Sequence, residues 1–369
     1  MKKILFLIHD LGQGGAEKVL VNLVNNMDKN KYNITVMSLF DVGENKKFLK
    51  DDITYKYCFK KMPRGNSHFM KLLSPKQLHH WLIKDKYDIE VAYLEGPSTR
   101  IISGCQDLHT KLVSWVHIEQ KTKYRVKSSY RSYNELLDCY SKFSKIITVS
   151  KGVQTDFMSL VKTKVPVEVL YNTNESEKIK VLSREMTDIK RSENSKNLVC
   201  VGKLLGNKGF HRVINIVKKL IDEQYQINLY ILGSGPDKAK LENMIKGYNL
   251  NDHVSLLGYQ LNPYKYIAKC DLFVCASYAE GFSTAATEAL ILGIPVCTVE
   301  VSGMKEMLGE NNEFGVVVEN KDENLYEAIK NLLDSPEKFE FYKKRAEERG
   351  KIFSTKNTVK AVENMLDKL

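Results

Sequence analysis

No stretch of this sequence approaches the roughly 18 consecutive apolar residues that a membrane-spanning helix requires. The apolar run near the start, Ile4 to Ile8, is closed by His9 and Asp10, and no small-residue cleavage site follows it, so a secretory leader is not expected. These two absences set the expectation of a cytoplasmic protein. The cysteines are seven, scattered, and include no CxxC pair, which argues against a disulfide framework and against a zinc or iron–sulfur site. Cys200, Cys275 and Cys297 lie in apolar runs and read as small core residues. No metal site and no cofactor is expected. A GxGxxG pattern is missing, which counts against a dinucleotide oxidoreductase, and there is no convincing DxD pair. Short repeats and long low-complexity tracts are absent as well.

What is present is an ordinary globular composition, 43% hydrophobic and 27% charged. At 369 residues the chain is long for one core, and two domains are expected. The net charge of +11 is one-sided: residues 1–175 carry 28 Lys and Arg against 18 Asp and Glu, while residues 176–369 carry 28 against 27. A basic excess in one half suggests an anionic partner, whether membrane surface, nucleic acid or substrate; a lysine-rich solvated surface explains it equally well. No recognised nucleic-acid module is visible, and no nucleic-acid partner is expected.

Strand-like runs at Lys3–Ile8, Ile34–Phe40, Ile89–Tyr93, Lys111–Val116 and Lys145–Val149 alternate with helical stretches. After a polar segment the alternation restarts at Leu198–Val201, Ile227–Leu232, Val254–Leu257, Leu272–Ala276 and Pro295–Val299. Such alternation predicts parallel sheets covered on both faces, an α/β class of two doubly wound domains. The expected organisation is a first domain at 1–172, a linker at 173–196, a second domain at 197–355, and a final helix at 356–369 packing across both.

The segment SYAEGFSTAATEALILGIPV, residues 277–296, holds Glu280 and Glu288, eight positions apart. It follows a buried strand and ends a helix at Gly293, with Pro295 beyond. Ser283 reads as an N-cap, which leaves the Thr284 and Ala285 amides at a helix N-terminus suited to phosphate. Ligands of open α/β sheets bind beyond the carboxyl ends of strands, where this turn lies. Carboxylates on either side accept hydrogen bonds from sugar hydroxyls. Phosphate at the turn and hydroxyls beside it describe a nucleotide sugar. Taken alone, the two glutamates also read as a surface turn residue and a solvated helix residue. Lys203 and Lys208 follow another strand, in LVCVGKLLGNKGFHRVI, and can meet a diphosphate as point charges. Gly14 and Gly15 sit at a strand-to-helix turn that permits close backbone approach. His117 ends the apolar strand of LVSWVHIE, where a lone histidine is as readily structural as catalytic.

In this order, GGAEKV, WVH, VGKLLGNKG and EGFSTAATEALILGIPV resemble the retaining glycosyltransferases of family four, over essentially the whole chain. LNPYKYIAKCDLFVCAS and VSGMKEML are similar to bacterial members that build capsules, exopolysaccharides and other surface glycans. The resemblance implies a GT-B fold of two facing Rossmann-like domains and transfer of a hexose or N-acetylhexosamine from a nucleotide sugar, UDP-linked by family frequency. It implies that Gly15 lets its loop approach the donor diphosphate and that Lys203 and Lys208 bind it. Glu280 would hold hydroxyls of the transferred sugar, Phe282, Ser283 and Thr284 would supply donors, and Glu288 would accept from the ribose. Tyr259 would lie near the base, and His117 near the sugar. Two departures stand out: Lys203 replaces the usual arginine and loses its bidentate fork, and Asn172-Thr173 replaces the usual Asn-Gly.

The resemblance further implies transfer with retention, the leaving diphosphate taking the acceptor proton, and no metal is expected. The acceptor, a glycan or lipid-linked saccharide, is expected on the first domain, with Glu95 of YLEGPST a contact. KTKYRVKSSYRSY, residues 121–133, has five cationic residues and three tyrosines and suits an anionic membrane or glycan as well as a solvated loop. An inactive GT-B partner subunit, a GT-B epimerase and a basic nucleic-acid binder are the competing readings.

Overall fold

The computed structural model describes residues 1–12, 14–61, 70–189 and 195–369. The chain forms two compact units, Met1–Thr173 with Lys356–Leu369, and Asn174–Thr355.

The first unit is built on a 7-stranded sheet in the order β3-β2-β1-β4-β5-β6-β7. Its strands are β1 Lys2–Ile8, β2 Tyr32–Phe40, β3 Thr54–Phe59, β4 Ile89–Ala92, β5 Lys111–Val116, β6 Lys145–Thr148 and β7 Val167–Val169. The second unit has a 6-stranded sheet in the order β10-β9-β8-β11-β12-β13. Its strands are β8 Lys196–Val201, β9 Ile227–Leu232, β10 Val254–Gly258, β11 Leu272–Cys275, β12 Val296–Val299 and β13 Val316–Val318. Among the described residues every pairing is parallel. The inner strands are covered on both faces, so their side chains are apolar without alternation: Ile4 to Ile8 are wholly buried, as are Leu198 and Val199. Each unit is an open, doubly wound sheet. The strand order reverses between β1 and β4 in one unit and between β8 and β11 in the other, and these reversals create the crevices where such sheets hold ligands.

Three strands lie outside the sequence-based set, β3, β7 and β13, and so does the helix Pro336–Ile352. The segment expected as a linker needs correction over its first half. Ser176–Leu182 is a helix of the second unit, and Ile179 is buried against Tyr264 and Ile291. Residues 190–194 of that segment lie outside the described residues. The final helix, Thr355–Asp367, has its residues from Lys356 onward in the first unit. There the Asp28 amide donates to Glu363, Tyr32 Oη donates to Asp367 at 2.6 Å, and Lys2 Nζ donates to the Leu366 carbonyl. Among the described residues no helix is long and apolar enough to cross a membrane.

Candidate active site

In the second unit the crevice between β8 and β11 is assembled from two loops. After β8 the chain makes a tight turn, Gly206–Lys208, and reverses at Gly209 with φ 69°. Only glycine fits there, because a Cβ would lie 2.1 Å from the Ala276 carbonyl oxygen. The close approach brings the two loops together, and the Tyr278 amide donates to the Asn207 carbonyl at 2.8 Å. Lys208 Nζ then reaches Glu280 Oε1 at 2.7 Å, and Ser277 Oγ donates to the same oxygen at 2.7 Å. The two residues are thus partners, 72 positions apart in sequence. Lys203 stands exposed at the carboxyl end of β8, and Tyr259 is exposed after the end of β10.

Ser283 caps the helix Thr284–Ile291, its hydroxyl accepting from the Ala286 amide at 3.3 Å. The first turn carries no acidic residue, so the positive end of the helix dipole is not offset by a local carboxylate. Phe282 is buried edge-on against Phe353, with ring centres 5.6 Å apart, so its side chain anchors the turn and only its backbone can serve a ligand. Glu288 is 2% exposed, which removes the solvated-helix-face alternative, and one of its oxygens accepts from Tyr264 Oη at 3.4 Å.

Arg212 was not singled out from sequence. It is fully buried; one guanidinium nitrogen donates to the Ala276 carbonyl at 2.8 Å and to Asn320 at 2.7 Å, and the plane covers the Tyr278 ring. It ties the strand end that carries Glu280 to the loop after β13. The only sequence signal for it was a cation on the apolar side of a helix start.

In the first unit the corresponding residues follow β1, β4 and β5, which are neighbours. Gly14 is the N-cap of the helix Gly15–Asn26, and the Glu17 carboxylate folds over it, so that a Cβ on Gly14 would meet Glu17 Oε2 at 2.0 Å. An anion arriving at this turn would have to displace Glu17. Glu95 and His117 are joined: a Glu95 oxygen accepts from the His117 amide at 3.0 Å, and the other accepts from Gln120 Nε2 at 3.2 Å. Burial raises the Glu95 pKa, while the amide donors oppose that shift. The His117 ring packs against Tyr93 and stacks on Trp115, with centres 4.8 and 6.4 Å away. Its Nε2 is buried without a protein partner, and burial lowers its pKa from 6.5 to about 3. The imidazole is therefore neutral at any working pH. It can place a hydroxyl by hydrogen bonding but carries no charge.

The 121–133 stretch divides in two. Lys121, Lys123, Arg125, Lys127 and Tyr124 are exposed, whereas Tyr130 is buried and Tyr133 donates to the Leu160 carbonyl. One tyrosine, not three, faces outward.

Residues 183–349 match the family model described as Glycosyl transferases group 1. The chain is 30% identical, over 96% of both chains, to the N-acetylgalactosamine-N,N'-diacetylbacillosaminyl-diphospho-undecaprenol 4-alpha-N-acetylgalactosaminyltransferase of Campylobacter jejuni. Among solved structures, HepE of Anabaena, in complex with UDP-glucose, superposes with a TM-score of 0.75 at 18% identity, covering 100% of both chains. TarM of S. aureus gives 0.76 at 12% identity, covering 100% of this chain and 98% of TarM.

Proposed function

The chain belongs to the GT-B glycosyltransferases, and on that premise we propose that it is a retaining, family-four transferase moving a hexose or N-acetylhexosamine from a UDP-sugar to a lipid-linked saccharide or glycan in bacterial cell-surface polysaccharide synthesis. The observation that carries the reading is the Lys208–Glu280 pair at the β8/β11 strand reversal, beside a helix N-terminus free of acidic residues.

The roles follow from charge. When the donor diphosphate arrives, Lys208 turns from Glu280 to the phosphate, joined by Lys203, and the dipole of the Ser283-capped helix supplies further positive potential. Glu280, released from Lys208, accepts from hydroxyls of the transferred sugar. Thr284 and the Phe282 and Ser283 backbone supply donors, Glu288 accepts from the ribose, and Tyr259 lies beside the base. Glu17 swings away for Gly14 and Gly15 to approach the donor. Neutral His117 places the sugar, and Glu95 holds His117 and contacts the acceptor. The bond from the anomeric carbon to the diphosphate oxygen breaks as the acceptor oxygen bonds to the same face. The acceptor proton passes to the leaving phosphate. Lysine and helix dipole stabilise that charge without a metal ion. The first unit is proposed to rest on the cytoplasmic face of an anionic membrane through Tyr124 and its neighbouring cations.

The test is a thermal-shift and transfer screen of UDP-, GDP- and dTDP-sugars with a synthetic undecaprenyl-diphosphate saccharide, the product anomer being read by NMR. A UDP-sugar that raises Tm and yields product of retained configuration, in excess EDTA, supports the reading. An inverted product, a GDP donor, or activity that vanishes in EDTA and returns with Mn²⁺ each overturns its part. Sedimentation with anionic vesicles at low salt checks the membrane contact.

A further inference from the structure

We propose that His79, Glu90 and Cys105 form a binding site for a zinc-class divalent cation in the first unit, separate from the transfer machinery. The three residues offer one nitrogen, one oxygen and one sulfur, all within 4.8 Å of one another. They come from three different elements. His79 lies on the helix Pro75–Leu82, whose start is fixed by a reciprocal cap: the Gln77 amide donates to Ser74 Oγ and the Ser74 amide to Gln77 Oε1. Glu90 is the second residue of β4 and is 2% exposed. Cys105 is half-buried, in the loop that leads toward β5. Gly104 is what delivers it: a Cβ there would lie 1.9 Å from the Pro75 carbonyl oxygen and 2.9 Å from the His79 Cβ, so the loop backbone lies directly against the helix.

A carboxylate inside a strand of buried apolar residues is costly unless its charge is met. His79 Nε2 meets it at 2.8 Å, and the Cys105 sulfur lies within 4.8 Å of both. Thiolate, carboxylate and neutral imidazole together balance a doubly charged cation. The mixture of soft sulfur with nitrogen selects zinc-like ions over magnesium or calcium. Half-burial of Cys105 leaves a side open for a fourth ligand, water. Binding releases two protons to solvent, one from the Cys105 thiol and one from the His79 nitrogen that faces Glu90, leaving thiolate and neutral imidazole as ligands. Sequence spacing could not reveal this set, because 11 and 15 residues separate its members across a helix, a strand and a loop.

Its position assigns its role. Glu90 pairs in register with Leu112 near the beginnings of β4 and β5, whereas Glu95 and His117 follow the carboxyl ends of the same strands. The cation fastens a helix and a loop to the sheet at the amino ends of its inner strands, opposite the transfer residues.

The test is titration of chelator-stripped protein with Co²⁺ and then Zn²⁺. One equivalent of Co²⁺ should produce a thiolate-to-cobalt charge-transfer band with tetrahedral d–d absorption, and Zn²⁺ should abolish it. Cys105→Ser should remove the band and weaken zinc binding about tenfold or more, while leaving the UDP-sugar thermal shift unchanged. His79→Asn should weaken binding similarly. Absence of the band in the wild type, or its survival in Cys105→Ser, overturns the site and leaves a His79–Glu90 ion pair with a bystander thiol. Because the readout is metal absorption, its failure is distinguishable from failure of the transferase reading.

Discussion

The helices Gly15–Asn26 and Thr284–Ile291 begin alike, each at a turn after an inner strand of a parallel sheet, yet their openings are charged differently. In the first, the Glu17 carboxylate folds against Gly14 and places a negative charge in the first turn. In the second, a neutral serine caps the helix, the first turn has no acid, and Lys208 waits in the adjoining loop. The neighbouring side chains extend the contrast. The first unit sets a neutral imidazole beside a carboxylate whose pKa burial has raised; the second sets an ammonium against a carboxylate. One unit thus offers uncharged groups at its strand ends, and the other a charged pair. Net charge points the other way, since the basic excess lies in residues 1–175. Counting charges over a domain says where a surface is attractive, not where a phosphate is held.

The comparison can be broken most severely by ending the chain at Thr355. The first unit would lose the buried Val359, Val362, Met365 and Leu366, each contributing about 1.5–3 kcal/mol, a total comparable with a domain's whole stability. Hydrogen exchange should show the first unit unfolded and the second protected and still able to bind UDP. Next, Lys208→Ala should lower turnover by about 10²–10³-fold and weaken UDP binding, whereas a first-unit change should leave UDP binding intact. Glu95→Gln supplies that contrast. It loosens the His117 loop, and turnover should fall by up to about 10²-fold with no change in UDP affinity by calorimetry. The smallest effect is in pH dependence. The folded His117 ring resists protonation down to about 3, while an unfolded histidine takes a proton near 6.5, so this group's stabilising contribution is full above 6.5 and declines as pH falls toward 3. In His117→Gln that contribution to the slope should vanish from denaturant midpoints of the first unit. An unchanged slope would mean that the ring is not buried in solution.

Inner strands were legible because burial on both faces makes them continuous apolar runs, and the sequence-based limits of β5 and β9 coincide with the structural ones. The three strands that escaped are all at sheet edges, where half-burial breaks the run: TYKYCF of β3 mixes lysine and tyrosine, and β7 and β13 have three residues each. The helix Pro336–Ile352 escaped for a related reason, since few of its residues are buried and its pattern is mostly charge. At the candidate site, strand-end logic led to Lys208 and Glu280, whose pairing the fold supplies. Arg212 was not legible, because its partners, the Ala276 carbonyl, Asn320 and Asp322, lie 64 to 110 residues away.

The Thr355 hydroxyl donates to the Asn174 carbonyl at 2.8 Å and accepts from the Ser176 amide, and the Thr355 amide donates to Ser176 Oγ. Entry to and exit from the second unit are thus sewn side by side. In genetic terms residues 174–355 are a cassette spliced into the reading frame of the first unit. Two cuts at adjacent points remove it and leave ends that meet. Exchange of this cassette between related genes would replace the Lys208–Glu280 pair and its sheet while every strand of the first unit, and its closing helix, stayed in place.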